Sequence, residues 1–226
     1  MAIQLRRNTT SGIVPHSTEL VSGEVAINTA DLELYAEDTA GTVAQLARNT
    51  YPAVKPPSGQ WQTGMSGTDS TTTRYSYANR VWLYPWIPRH TVTVDRAAIW
   101  CTAAVAGSLA KIAIFDSDAD GWPTGSALWT STDLSCATTG EKNATVSLTL
   151  RRGQQYWNAI HTSANQTLRA MFRTGFACIQ SAPSDVYPYA NAYVVSAYGS
   201  GMPSAPAYAS LSFDNGSVPL VYWRTA

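Results

Sequence analysis

Charged residues make up only 13% of the 226-residue chain, and 15 Lys and Arg balance 15 Asp and Glu at zero formal net charge. Neither sign forms a run, so the electrostatic footprint that phosphate backbones or anionic membranes need is missing, and nucleic acid and membrane surface drop as expected partners. No stretch of eighteen apolar residues encodes a membrane span, and MAIQLRRNTT lacks an apolar signal core with a cleavage site, so the chain is expected to fold where it is made.

Residues 1–50 contain short β-like pieces, AIQLR, GEVAINT, LELYAE and GTVAQLA, each bounded by Gly, Asn, Asp or Ser. Val25 and Ile27 alternate with polar neighbours, as do Leu32, Leu34 and Ala36, which predicts half-buried strands with those residues inward and the turn NTAD between them. Fifty residues of this kind bury too little apolar surface to stand alone, so oligomerisation or docking is implied. NTYPAVKPPSGQ (49–60) then reads as an extended connection, with residues 51–60 as the Pro-rich linker. Composition changes there as well. All eight Trp lie beyond residue 60, and six acids against three bases before residue 51 give way to nine acids against twelve bases after it.

Residues 61–226 continue as strands: RYSYANRVWLYPWIP, TVTVDRAAIWCTAAV, SLAKIAIFD, GSALWTSTDL, KNATVSLTLR, QQYWNAIHTS, QTLRAMFRT, DVYPYANAYVVSAY, AYASLSF and VPLVYW. Helical spacing of apolar residues is repeatedly broken by Gly, Pro and β-branched residues. The fold class expected is all-β: a small N-terminal β-hairpin module followed by an antiparallel, jelly-roll-like β sandwich.

IQLRRNTTSGIVPHSTELVSGEVAINTADLELYAEDTAGTVAQLA (3–47) resembles the N-terminal module of bacteriophage fibre and spike proteins, in which a basic pair after an alternating strand, a Pro, GE-[LV]-AINTAD, LY and G-T-V recur in that order. About residues 80–160 also resemble a tail-fibre β-sandwich domain, through the aromatic-Pro strand, the AGS-x-A-[KR]-[IL]-x-I-[FY] strand, the DG-[aromatic]-P-[TG]-G turn and the G-x-x-YW strand. Residues 161–226 match no pattern of that kind. The resemblance implies a fibre or spike, on head or tail, made in the host cytoplasm and carried on the virion surface. It implies a homotrimer whose residues 1–50 attach to a capsid or tail structural protein, with Arg6, Arg7, Glu24, Ile27, Leu34 and Tyr35 as candidates for attachment and oligomerisation. A displayed sandwich of this kind implies a host cell-surface glycan as partner. A purely structural decoration or connector and a polysaccharide depolymerase are the alternatives.

Several constellations could carry that chemistry. Trp61, in the loop after the linker, and Trp122, at a turn, are candidates for exposed sugar stacking. Tyr187 and Tyr189 lie in SDVYPYANAYVVSAYGSGMP, which has the composition of a recognition loop or of a Tyr-rich strand with its hydroxyls at the rim. Trp82, Tyr84 and Trp86 share one strand face, for sugar or for packing. Asp116, Asp118, Asp120 and Gly121 match the opening of a calcium loop, but the closing Glu position is Ala127, which leaves a non-EF site or a solvated hairpin tip. Cys101, Cys136 and Cys178 have no CxxC spacing and are expected as reduced, mostly buried thiols. Glycan cleavage needs two carboxylates across the bond, and the only Glu after residue 50 is Glu141. His16, His90 and His161 adjoin no nucleophile motif. No catalytic residue, metal ligand or cofactor is therefore assigned.

Overall fold

The computed structural model describes residues 6–10, 13–16, 18–30, 32–47, 56–63, 71–172 and 189–226. The chain divides into two compact units, Met1–Val54 and Lys55–Ala226. Among the described residues the regular structure is β apart from two single 3-10 turns, Tyr198–Ser200 and Tyr208–Ser210.

The first unit is one sheet of β1 (Arg6–Asn8), β2 (Val25–Asn28), β3 (Glu33–Glu37) and β4 (Val43–Ala47), in that order. β2, β3 and β4 are antiparallel neighbours, while β1 runs parallel to β2. A parallel pair requires a crossover of a dozen or more residues, and the chain between Asn8 and Val25 supplies it. Asn28 holds the crossover down: its buried side-chain amide donates to the carbonyls of Thr10 and Ile13, at 2.9 and 3.0 Å.

This arrangement reverses the expected facing of the strands. Buried here are Leu20, Ala26, Asn28 and Tyr35, while Val25, Ile27, Leu34 and Ala36 stay half-exposed. Leu32 is 63% exposed and has φ of 56°, so it belongs to the turn, and β3 starts only at Glu33. Alternation separates two faces correctly, but which of them is covered depends on the crossover.

The second unit is a β sandwich. In chain order its strands are β5 (Trp61–Thr63), β6 (Thr71–Tyr75), β7 (Arg80–Trp86), β8 (Val92–Ala103), β9 (Leu109–Ser117), β10 (Pro123–Thr130), β11 (Leu134–Ser135), β12 (Gly140–Leu150), β13 (Tyr156–Thr162), β14 (Thr167–Met171), β15 (Asn191–Val195), β16 (Ser212–Asp214), β17 (Val218–Pro219) and β18 (Tyr222–Thr225). One sheet has the order β10-β9-β13-β7-β15-β16, with β11 also on β9. The other has β17-β14-β8-β18-β5, with β12 on β8 and β6 on β14. The chain passes back and forth between the two, β7 to β8 to β9 and β12 to β13 to β14, in jelly-roll-like fashion. VPLVYW, expected as one strand, is divided into β17 and β18, which pair with different partners.

Residues of both sheets fill the space between them: Tyr84 and Trp86 of β7, Ile99 of β8, Ile112 and Ile114 of β9, Leu150 of β12, Ile160 of β13, Leu168 of β14 and Trp223 of β18. Trp82, Tyr84 and Trp86 are buried, so their shared face serves packing. Two polar groups in this core are satisfied across the sandwich. The indole of Trp223 donates to Asn158 at 2.8 Å, and the Val221 amide donates to the Tyr84 hydroxyl at 2.8 Å. Burial pushes the Tyr84 phenol well above its ordinary range.

A second core covers the outer face of the β9-β13-β7 sheet. Val81, Leu83, Phe115, Trp157, Ala159 and Ala192 point that way, with Phe213 of β16 beside Ala192, and are covered by Met202, Ala205 and Leu211 of the segment between β15 and β16. All seven residues of β13 are therefore buried. Burying both faces yields YWNAI, an unbroken apolar and aromatic run around one asparagine, in place of alternation. Cys101 and Cys136 are free buried thiols, Cys136 pushed up to about 12 by burial. Cys178 lies outside the described residues.

Candidate functional site

Among the described residues, the outer face of the other sheet has no such roof. Register places Trp61 opposite Arg224, Tyr222 opposite Ala98 and Glu141 opposite Trp100, so these side chains rise from one surface made by β5, β18, β8 and β12. Trp61, Trp100, Glu141 and Tyr222 line a half-open depression of about 200 Å³ together with Ala98, Ile99 and Arg169 of β14. Trp61 and Trp100 are each 37% exposed. Ala98 is buried and its small side chain leaves room above the sheet.

Charged groups are fixed around these rings. The Arg169 guanidinium lies 4.7 Å from the centre of the Trp100 ring, within cation–π range. Burial raises the Tyr222 pKa, and the nearby Arg169 guanidinium opposes that rise. Arg224 lies 6.0 Å from the Trp61 ring and is held by Asp95 in two hydrogen bonds of 2.9 and 2.6 Å. Those bonds hold the Asp95 carboxyl below its ordinary range. On the opposite side Arg96 donates to Asn143 at 3.1 Å, and Asn143 donates to Glu141 at 2.7 Å. Trp61 thus stands on a strand, β5, and not in a loop. Trp100 escaped sequence reasoning because AAIWCTA reads as continuous core. Its one signal, a Glu opposite it, requires the register.

Trp122, expected as an exposed platform, is instead half-buried against the second core. Its ring stacks on Trp157 at 5.9 Å and lies 4.5 Å from Tyr208 and 6.1 Å from Phe213. Tyr189 joins the same cluster through Phe213, at 6.1 Å. Tyr187 lies outside the described residues. The acidic tip beside Trp122 is built by its own hydrogen bonds. Asp118 accepts from the amides of Asp120 and Trp122, at 3.0 and 2.8 Å, while Asp116 accepts from Gln154 at 2.8 Å. Gly121, at φ of 84°, makes the turn, and its carbonyl accepts from the Trp157 indole at 2.9 Å. These bonds commit two of the three carboxylates to the hairpin, and no group of three or more His, Cys, Asp or Glu among the described residues gathers at a metal-sized position.

In the first unit the six candidate residues separate into three sets. Ile27 and Leu34 are register partners on the half-exposed face, with Arg7 beside Ile27 on β1. Tyr35 is buried on the covered face, so it is a core residue and not a docking one. Arg6 pairs with Glu24 at 3.2 Å, and the second Glu24 oxygen accepts from the Val21 amide, which ties β1 to the crossover. A groove lined by Arg6, Arg7, Pro15, Glu19 and Leu20 runs beside β1 and contains no aromatic ring.

No family model matches the chain, and no curated protein matches it in sequence.

Proposed function

We propose that the chain is a non-enzymatic fibre or spike protein of a bacteriophage virion, which attaches to the particle through its first unit and displays the sandwich to bind a host cell-surface glycan. The observation that carries this reading is the open aromatic depression of Trp61, Trp100 and Tyr222 on one face of a sandwich whose opposite face is closed. Exposed rings flanked by fixed hydrogen-bonding groups suit a ligand with an apolar face and a hydroxylated edge. Among the described residues the depression is lined by one carboxylate, Glu141, whereas glycoside cleavage works with two. The half-exposed apolar face of the first unit, with Ile27 and Leu34 at its centre, supports attachment and self-association, for which a homotrimer is the expected state. Weak binding per sandwich is then multiplied by valency.

The test is binding of the full chain to intact bacterial cells and their purified surface polysaccharides, with reducing-end release assayed in the same tubes. Binding without release is expected. Release would make the protein a depolymerase, and loss of both would leave a structural decoration. Sedimentation of the full chain checks the assembly. Three copies per particle are expected, and Ile27→Glu or Leu34→Glu should give monomers with an unchanged β-sheet spectrum.

A further inference from the structure

The proposed receptor function leaves open which class of glycan the sandwich takes, and the residues around the depression narrow it. We infer that this depression binds a single neutral pyranoside, stacked by its apolar C–H face on Trp61, Trp100 and Tyr222 and held at its hydroxyl edge between Arg169 and Glu141. The inference rests on the glycan-binding reading above and specifies the site and the charge of its ligand.

Size limits the ligand first. A cavity of about 200 Å³ is smaller than the roughly 300–1,000 Å³ that drug-sized ligands occupy, so it accommodates one ring and leaves the rest of a glycan chain outside. The rings supply the platform. Aromatic faces carry the negative part of the ring quadrupole, and the weakly positive C–H groups on one side of a pyranose meet that face with little desolvation cost.

Charge then separates sugar classes. Within the lining, Arg169 and Glu141 carry opposite charges that cancel. Together they give a hydroxyl edge both things it needs, a donor and an acceptor. A uronic or sialic acid would bring a third charge into the same small space. Its carboxylate would face Glu141, and the cation of the lining, Arg169, is already engaged over the Trp100 ring. Arg224 is outside the lining, and its charge is already paired with the Asp95 carboxylate through two hydrogen bonds. Like charges in a partly desolvated site are costly, so the depression selects against acidic sugars while offering neutral ones a complete set of partners.

The experiment uses the full chain and matched probes that differ only in charge: methyl β-D-glucopyranoside against methyl β-D-glucopyranosiduronate, and the corresponding galactosides. Binding is read by saturation-transfer NMR and tryptophan fluorescence. Saturation is expected for a neutral glycoside and not for its uronate partner. Trp61→Ala and Trp100→Ala should each weaken binding by about tenfold, equal to roughly 1.4 kcal/mol, with an unchanged thermal midpoint. Glu141→Gln, an exposed change that leaves the core alone, should weaken the neutral glycoside and raise the response to the uronate. Tighter binding of the uronate by the unaltered chain would overturn the inference. If the chain binds cells or polysaccharide and the two Trp variants bind equally well, the site is elsewhere and the receptor reading survives. If the unaltered chain binds no cell, polysaccharide or glycoside, both fail.

Discussion

The two outer faces of the sandwich start from similar material and end differently. Each sheet carries aromatic rings on its outer side: Trp157 and Phe115 on one, Trp100, Tyr222 and Trp61 on the other. On the first, the segment from Met202 to Leu211 and the hairpin tip with Trp122 fold back and form a second core. On the second, β5 and β12 flank β18 and β8, and the rings stay partly in water with Arg169 and Arg224 across them. One face is closed into a second core, and the other is the face to which we assign recognition.

That contrast can be broken by substitution, and the largest effect should come from the covered side. Trp157→Ala removes a buried ring under that roof and should cost about 3–5 kcal/mol in urea unfolding; a cost near zero would mean that the roof does not pack. Trp122→Ala, taken from the half-buried edge of the same cluster, should cost about 1–2 kcal/mol, since part of the ring already faces water.

Acid should act on the covered face too. The ring of His161 is buried, its Nε2–H donates to the Ser196 carbonyl at 2.9 Å, and burial, with the nearby Lys111 charge, lowers its pKa. The unfolded chain takes up this proton near the ordinary value of about 6.5. Stability from the neutral ring is therefore full above that pH and is lost as pH falls through it. Thermal midpoints from pH 8 to pH 5 should decline, and the decline should flatten in His161→Gln. Smallest of all should be Trp61→Ala on the open face, which should alter stability by no more than about 0.5 kcal/mol. A large loss there would assign Trp61 to packing and remove it from recognition.

Much of the strand order was legible because Gly, Pro and Asn punctuate runs of β-branched and aromatic residues. Coverage was not legible, because it is set by contacts distant in sequence. Trp122 lies in DGWPTG and reads as an exposed turn residue, yet Tyr208 and Phe213 come to meet it from more than eighty residues away. Leu34 and Tyr35 are adjacent and both apolar enough to be core; the crossover carrying Leu20 determines that Tyr35 is the buried one. Asn28 is hidden for a reason outside hydropathy, since two backbone carbonyls of the crossover need its amide. Of the site, Trp61 could be read from its place after the linker, while Trp100, Tyr222 and Arg169 required the register.

β18 lies between β8 and β5, with Trp223 in the central core, so the last of the sandwich's described strands in chain order occupies the interior of its sheet. During synthesis, β5 has no partner in the sheet until residues 222–225 have been added. Until β18 arrives, the nascent sandwich holds an open slot along β8, although the strands from β5 to β17 have already been made. Closure joins segments more than 150 residues apart, which places its folding among the slow, non-local β topologies. An unfilled slot exposes the backbone of β8 to strands of neighbouring chains, so in a crowded cell the yield of folded protein depends on how fast its own final strand arrives.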